Sequence, residues 1–281
     1  GSVFPPLLIN MIKGAELIGD LENTLDDMSK YYEERESTRK QLIGSLVYPA
    51  VILVFSLVVV IFMVVYIIPQ FEGIYSSLGA ELNPIVLFLL KFSAFLKTNY
   101  VLLIAGFILV VVLLIFMYKK VKAFRTLVQY IAMHLPLVGK LIIYNEMHLF
   151  AKTFSVLNKN NVLLTDSIDI LSKITSNEFY KMIMYDTISN LLRGDKISLS
   201  FKDNWAVPTL AYYMISTGEA TGELSEMLEK VSVYYEQEQR NLGNSLKTLI
   251  EPILMIILAV IVGGIMISII VPMYDITKNI L

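Results

Sequence analysis

The chain has 281 residues, of which 56% are apolar and only 17% charged, and its formal net charge is −2. Soluble domains carry nearer half apolar and a quarter charged residues, so this composition indicates an integral membrane protein. The near-neutral charge argues against a broad nucleic-acid-binding surface, and the absence of cysteine excludes disulfides and thiolate metal sites.

The first predicted element is a helical hairpin in a polar segment over residues 1–45. Gly19 is placed to end its first helix as a C-cap glycine with positive φ. Glu16 lies in the last turn of that helix, where the helix dipole disfavours a carboxylate. Another contact must therefore hold Glu16, either a hydrogen bond to amides of the turn or of the next helix, or a contact with a partner protein.

Three uncharged, apolar stretches follow along the chain, over residues 41–71, 98–118 and 252–274. Each can cross a hydrocarbon core of roughly 30 Å as a helix of about 20 residues. We predict transmembrane helices over 46–69, 100–118 and 250–273, and none of the three has Asp, Glu, Lys, Arg or His in its interior. Chemistry or ion transfer within the bilayer is therefore not expected.

The cations that flank the spans predict the orientation, because Lys and Arg near span ends stay in the cytoplasm. Residues 1–45 and 119–249 should be cytosolic, with an extracytoplasmic loop over 70–99 and an extracytoplasmic tail over 274–281. The cations on the cytosolic side are Arg35, Arg39, Lys40, Lys119, Lys120, Lys122 and Arg125.

The cytosolic segment 119–249 is predicted to form a bundle of six helices. Its last two helices form a hairpin in which Glu219 precedes the predicted C-cap Gly222, as Glu16 precedes Gly19. His134 and His148 are isolated from each other and from further ligands, so no metal site is expected. Catalytic residues, cofactors and a glycine-rich phosphate loop are not apparent in the sequence either.

The two hairpins belong to an internal repeat that extends into the spans. One constant offset aligns Pro5 with Pro208, and the matches continue without a gap as far as Pro69 and Pro272. Both copies put a soluble hairpin before an outward-running span, so the repeats are parallel. Parallel repeats present two similar faces to the same compartment, which favours a scaffold over a carrier. The other matched pairs include Glu16/Glu219, Gly19/Gly222, Tyr31/Tyr234, Tyr32/Tyr235 and Pro49/Pro252.

The repeated residues after the hairpin turn have two interpretations each. Tyr31, Tyr32, Tyr234 and Tyr235 are either packed aromatics of the hairpins or part of a partner surface. Pro49 and Pro252 lie at the inner ends of the matching spans, where each either bends the helix as a hinge or opens a new helix at its first position.

The third span carries small side chains at helical spacing, which the first span lacks. These residues suit close contact with another membrane helix, either of this protein, of a second copy or of a partner. They are Ala259, Gly263, Gly264 and Ser268.

The repeated motif resembles that of the F-type inner-membrane platform proteins of type II secretion systems and type IV pili, a family that includes competence pilus platforms. The motif here is Ala15-Glu16-Leu17-Ile18-Gly19-Asp20-Leu21 and again Gly218-Glu219-Ala220-Thr221-Gly222-Glu223-Leu224. The lead-in to the second copy is also similar to the family, at Phe150–Leu157, at Asn161–Leu171, and at Gly194 with Ser198. Ala15 and Asn161 depart from it, because glycine is usual at both positions.

The resemblance implies a non-enzymatic protein of the bacterial inner membrane. Such platforms bind a cytosolic hexameric assembly ATPase and other inner-membrane assembly proteins, and they help transfer pilin or pseudopilin transmembrane helices from membrane lipid into a fibre. The small-residue face would then be able to hold a pilin helix, and a homo-oligomer is expected. The resemblance also implies duplicated cytosolic helical bundles. Because the chain begins with Gly1-Ser2 and its first copy has no lead-in, we expect roughly sixty further residues upstream.

An ATPase-driven permease subunit is the alternative function. It would likewise have no nucleotide site and would offer cytosolic helices to a motor. Three spans without polar lining could enclose a solute pathway only in an oligomer, which favours the platform.

Overall fold

A computed structural model describes residues 4–18, 21–70 and 84–280, and these residues form helices without a β-strand. Helix follows from the sequence because apolar residues either recur every three or four positions or fill long uncharged runs. The α-helices are α1 Pro6–Ile18, α2 Leu21–Phe62, α3 Pro84–Lys120, α4 Lys122–His134, α5 Val138–Lys159, α6 Leu164–Ile174, α7 Glu178–Leu192, α8 Thr209–Thr221 and α9 Leu224–Ile280. A π-helical turn, Met63–Ile67, follows α2, and a 3-10 helix, Ile197–Phe201, lies between α7 and α8.

Three described helices contain stretches that are long and apolar enough to cross a membrane, namely Ala50–Gln70, Leu90–Lys120 and Leu224–Gly264. Large apolar side chains on these stretches, such as Leu102 and Phe107, are exposed, as suits a surface in contact with lipid. The helices α4 and α5 would be a fourth candidate only as one broken span, and they are bent by 108° from each other. The predicted all-α membrane protein with three candidate spans is confirmed.

The chain divides into two units. The first, here called the bundle, comprises Gly1–Ile43 and Tyr118–Asn244, and the second, the membrane unit, comprises Gly44–Met117 and Ser245–Leu281. The bundle contains most of both segments that the sequence predicts to be cytosolic, 1–45 and 119–249. The long helices α2 and α9 each begin in the bundle and continue into the membrane unit.

The bundle has a main core formed by α4 to α9 and the 3-10 helix. It contains buried aromatic side chains such as Phe154, Tyr180 and Phe201, together with aliphatic ones such as Leu228. A tight corner joins α4 to α5, because a Cβ on Gly139 would lie 2.0 Å from the carbonyl oxygen of Met133. Glycine at this corner lets the two helices approach closely enough to enclose the core.

The membrane unit has a smaller apolar cluster. Met63, Val64 and Ile68 are buried, and Leu90 and Val262 are among the side chains that pack against them. These contacts bring together residues of all three candidate spans.

Both repeated prolines lie inside long helices. The helix α2 continues through Pro49, and α9 continues through Pro252. Neither proline therefore opens a new helix, and of the two interpretations only a hinge within a continuous helix remains as a hypothesis.

Candidate functional site

The hairpin of the second repeat turns at Gly222, which is the C-cap residue of α8 with φ 76° and ψ 8°. This left-handed conformation is disfavoured for residues with a Cβ. Gly218, one turn earlier, permits close contact between the two helices, since a Cβ there would lie 2.9 Å from Cβ of Met227. Glycine is thus favoured at both positions, by the left-handed backbone at Gly222 and by the close helix contact at Gly218.

Glu219 fastens the hairpin to the preceding 3-10 helix. Its carboxylate accepts hydrogen bonds from the backbone N–H of Ile197 at 2.6 Å, the N–H of Ser198 at 3.2 Å and the Ser198 hydroxyl at 2.7 Å. These amides belong to the first turn of the 3-10 helix, where N–H groups have no partner within the helix. The hydrogen-bonding interpretation expected amides of the turn or of the next helix, whereas the structure shows amides of the preceding segment.

Glu16, the repeat counterpart of Glu219, is exposed. By the repeat offset, the counterparts of Ile197 and Ser198 fall before the first residue of the sequence. Gly19, the counterpart of Gly222, lies outside the described residues.

The two hairpins bury different faces, as the paired tyrosines show. Tyr31 is 2% exposed and its counterpart Tyr234 is 44% exposed. Conversely, Tyr235 belongs to the buried main core, and its counterpart Tyr32 is only partly buried. Equivalent residues therefore have opposite environments.

Aliphatic residues at equivalent positions of the two hairpins also differ in burial. Leu7 is 1% exposed whereas its counterpart Leu210 is 42% exposed, and Leu25 is 45% exposed whereas its counterpart Leu228 is fully buried. The second hairpin uses one face to complete the main core of the bundle. The first hairpin uses another face to pack onto the outside of that core.

The contact between the first hairpin and the rest of the bundle is here called the repeat junction. Its apolar part comprises Leu7, Met11, Met28 and Tyr31 of the hairpin with Leu157 and Ile170 of α5 and α6. The hydroxyls of Tyr31 and Thr153 form a buried hydrogen bond of 2.8 Å. The junction thus joins segments that are far apart in the chain.

Polar contacts surround the apolar part of the junction. Lys152 Nζ lies 2.5 Å from Glu34 Oε2, and the Thr38 hydroxyl donates to Glu236 at 3.0 Å. This second contact joins α2 directly to α9. Burial acts to raise the pKa of Glu236, but hydrogen bonds from Arg240 and Thr38 and the charge of Arg240 lower it overall. The carboxylate form is therefore the one that the junction favours.

Two further buried carboxyl groups lie in the bundle, with opposite shifts. Burial raises the pKa of Glu146, although Thr175 donates a hydrogen bond to it at 2.6 Å. Burial also acts to raise the pKa of Glu178, but the hydrogen bond and charge of Lys181 and the charges of Arg125 and Lys122 lower it overall. Neither carboxyl was singled out from the sequence, because their burial follows from how the helices pack.

Within the part of the chain that the structure describes, neither histidine lies in a group that could hold a metal. No group of three or more His, Cys, Asp or Glu suited to a metal ion occurs among the described residues. His134 packs against Tyr130 and Trp205, with ring centroids 4.1 and 4.6 Å away. His148 Nδ1 lies 3.1 Å from the backbone oxygen of Ser232, and burial lowers the pKa of its imidazole.

Among the described residues, the small-residue face of α9 leaves space for a Cβ beside its glycines. A Cβ added to Gly263 or Gly264 would meet no atom within 4 Å, and Ala259 is exposed. The side chain of Ser268 lies outside what the structure describes. The face has room for a neighbouring helix.

Comparison with known proteins places these features in a family. The family model described as "Type II secretion system (T2SS), protein F" matches residues 1–69 and 150–272. The two matched segments contain both copies of the hairpin and both matching spans.

Individual relatives agree with this match. The chain is 29% identical to the type IV pilus assembly protein PilC of Pseudomonas aeruginosa, over 97% of this chain and 73% of that protein. It is 28% identical to PilC of Thermus thermophilus, over 98% of this chain and 68% of that protein. It is also 28% identical to the type II secretion system protein F of Xanthomonas campestris, over 99% of this chain and 68% of that protein. The chain therefore spans about two thirds to three quarters of the length of these relatives.

Proposed function

Because the chain belongs to the type II secretion system protein F family, we propose that it is the inner-membrane platform of a type IV pilus or type II secretion machine. In this role it would couple a cytosolic assembly ATPase to the assembly of pilin or pseudopilin subunits into a fibre. One observation carries the proposal: the same soluble hairpin occurs twice, and the second helix of each copy continues into a candidate membrane span.

Charge supports a cytosolic location for the bundle. Lys and Arg flank the spans on the bundle side, at Arg35, Arg39 and Lys40 before the first span and at Lys119 and Lys120 after the second. The bundle would therefore face the compartment that holds the ATPase. The segment over 70–99 and the tail over 274–281 would lie on the opposite side.

The long helices offer a route from the bundle to the bilayer. Both α2 and α9 are continuous, and backbone hydrogen bonds along a helix resist stretching along its axis. The hydrogen bond between Thr38 and Glu236 links the bundle parts of these two helices. A force that the ATPase applies to the bundle would thus reach two spans together, with Pro49 and Pro252 as hinge positions.

The chain itself would act as a scaffold, and the ATPase would supply the energy. The exposed Glu16 and Tyr234 remain candidates for contact with the ATPase or with other inner-membrane assembly proteins. On the membrane side, the open face at Gly263 would hold a pilin helix or a second copy of this chain.

Co-purification from detergent tests the proposal. Tagged full-length chain is expected to retain the assembly ATPase encoded with it, and a variant without residues 122–221 should lose the ATPase while still inserting into the membrane. Equal recovery of the ATPase with both forms would contradict the platform function.

A further inference from the structure

A cavity of about 360 Å³ lies beside the repeat junction, between α2 and α5. Its size is at the lower end of the range for small-ligand sites, which is about 300–1,000 Å³. The side chains that define its character are Arg35, Arg39, Lys152, His148, Asn145 and Glu34. Neither the repeat nor the family resemblance pointed to this cavity, because its two walls are distant in sequence.

The lining is rich in positive charge. Arg35 and Arg39 are one helical turn apart on α2, and Lys152 faces them from α5, whereas Glu34 is the one carboxylate among the lining residues. Lys152 pairs with Glu34 at 2.5 Å, and Arg39 lies 3.6 Å from Glu36. Among the residues that the structure describes, Arg35 makes no ion pair. Like charges one turn apart on a helix repel each other, so a bound anion would stabilise this arrangement.

The carboxylate of Glu236, near the cavity, does not cancel the excess positive charge of the lining. Glu236, which lies on α9 near His148, is already engaged by Thr38 and by Arg240. The negative charge of Glu236 is therefore largely balanced by Arg240, and it does not cancel the positive charge of the cavity lining.

Two polar side chains are oriented by contacts outside the cavity. Asn145 accepts a hydrogen bond from Gln239 at its Oδ1. Its amide N–H groups therefore remain as donors to another partner. The His148 ring is held by Nδ1, which lies 3.1 Å from both the backbone oxygen and the hydroxyl of Ser232. The cavity therefore combines cations with preoriented polar groups, as phosphate sites do.

We propose that this cavity binds a phosphate-bearing anion, held by Arg35, Arg39 and Lys152. A guanidinium presents paired N–H donors that match two phosphate oxygens, and a lysine ammonium adds a further charge. The amide of Asn145 would donate to a third oxygen. The site is a feature of the bundle and does not depend on the proposed platform function.

Two sources could supply the phosphate. Ile43 also lines the cavity, and it lies about two helical turns before Ala50, where the first candidate span begins. The headgroup of an anionic phospholipid is one source, and a soluble phosphate ester is the other. The same cations would recognise either.

Binding by the full-length protein tests the proposal. Purified protein in neutral detergent is titrated with glycerol phosphate by calorimetry, and protein in nanodiscs with or without phosphatidylglycerol is analysed for retained lipid by native mass spectrometry. The double variant Arg35→Gln/Arg39→Gln should weaken binding by about ten-fold or more, because both guanidinium contacts are lost. Arg35→Lys/Arg39→Lys should restore part of the affinity.

The matched control is Lys30→Gln/Lys173→Gln, which removes two exposed cations that do not line the cavity. This control should bind as the wild type does. Saturable, variant-sensitive binding of glycerol phosphate supports the proposal with a soluble ester as the source, and variant-sensitive retention of phosphatidylglycerol alone supports it with lipid as the source. Absence of both, or equal binding by the wild type and the Arg35/Arg39 double Gln variant, would overturn it.

Discussion

The hydroxyl of Tyr31 lies 2.8 Å from the hydroxyl of Thr153, which is 122 residues further along the chain. The first residue belongs to the hairpin of the first repeat and the second to the bundle that precedes the second hairpin. This hydrogen bond is buried, and it belongs to the repeat junction. The hairpin of the first repeat therefore packs against the segment that leads into the second repeat, and Thr38 adds a direct contact to Glu236 of the second repeat.

Removal of the Tyr31 hydroxyl should weaken the junction. In Tyr31→Phe the Thr153 hydroxyl remains buried without its partner, at an expected cost of about 1–2 kcal/mol in the free energy of unfolding. Thermal unfolding in detergent, followed by circular dichroism, measures the change. Tyr234→Phe is the matched control, because its side chain is exposed and the expected change is within about 0.5 kcal/mol. Equal effects of the two substitutions would show that the asymmetric burial is wrong.

The carboxylate of Glu219 should matter more than that of Glu16. In Glu219→Gln one acceptor oxygen becomes an NH2 donor facing an amide or hydroxyl, so we expect a loss of about 1–3 kcal/mol. Glu16→Gln should change stability by less than about 0.5 kcal/mol, because Glu16 is exposed. Urea unfolding of both variants provides the comparison. If Glu219→Gln left the free energy of unfolding unchanged, Glu219 would not fasten the hairpin to the 3-10 helix.

Gly222 should tolerate no side chain without strain. Valine at φ 76° is expected to cost about 1–2 kcal/mol or more, because its Cβ clashes in the left-handed region. Gly44→Ala is the control, since Gly44 is inside α2 with open space around it. That substitution should stabilise the protein by about 0.5–1 kcal/mol. The two substitutions should therefore change the melting temperature in opposite directions. An unchanged melting temperature for Gly222→Val would contradict the hairpin geometry.

Two buried carboxyl groups, those of Glu146 and Glu178, should contribute to stability with opposite pH dependence. Glu146 has a folded-state pKa above its unfolded value of 4.5, so its contribution is fully present below pH 4.5 and is lost as pH rises through the folded pKa. Glu146→Gln should therefore stabilise the protein at neutral pH, because the amide carries no charge that has to be buried. The advantage should shrink as pH falls towards 4.5.

Glu178 provides the opposite case. Its folded-state pKa is below the unfolded value of 4.5, so its contribution is present above pH 4.5 and is lost as pH falls through the folded pKa. Glu178→Gln should destabilise the protein at neutral pH, and the difference should disappear in acid. Melting temperatures across pH 4 to 8, each referred to the wild type at the same pH, separate the two. A shared sign would contradict the assigned environments.

The open face of α9 gives a prediction about assembly rather than folding. Gly263→Leu adds a side chain where no atom lies within 4 Å, so the melting temperature should change little. If this face holds a second copy or a pilin helix, the oligomer or fibre assembly should be lost. Light scattering and pilus counts provide the readouts, and normal assembly would exclude the face from the interface.

Local sequence patterns predicted the helices and the special turn positions for physical reasons. Gly222 has the positive φ that its place after α8 suggested. Asn161, which stands where the family usually has glycine, has φ 56° in the turn after α5, a conformation that asparagine tolerates better than most residues. Long uncharged runs likewise sufficed to identify three candidate spans, because their length alone matches a bilayer.

The faces of the two hairpins could not be predicted in the same way. Tyr31 and Tyr234 are both followed by Tyr and Glu in sequence, and their burial differs because Tyr31 meets Thr153 and Leu157. The cavity lined by Arg35 and Lys152 also depends on a contact between distant segments. Repeat symmetry gives equivalent positions but not equivalent surroundings.

Cross-linking across the repeat junction tests the central claim most directly. The chain has no cysteine, so Glu34→Cys/Lys152→Cys introduces the two thiols where the side chains form an ion pair of 2.5 Å. A short bifunctional maleimide should link them in intact membranes, and a membrane-impermeant thiol reagent should reach both only from the cytoplasmic side. Glu33→Cys/Lys152→Cys, with one thiol moved to the exposed neighbour, should cross-link much less. Absence of the Glu34/Lys152 link, or labelling of the two positions from opposite sides, would contradict the packing of the first repeat's hairpin against α5 in one cytosolic bundle.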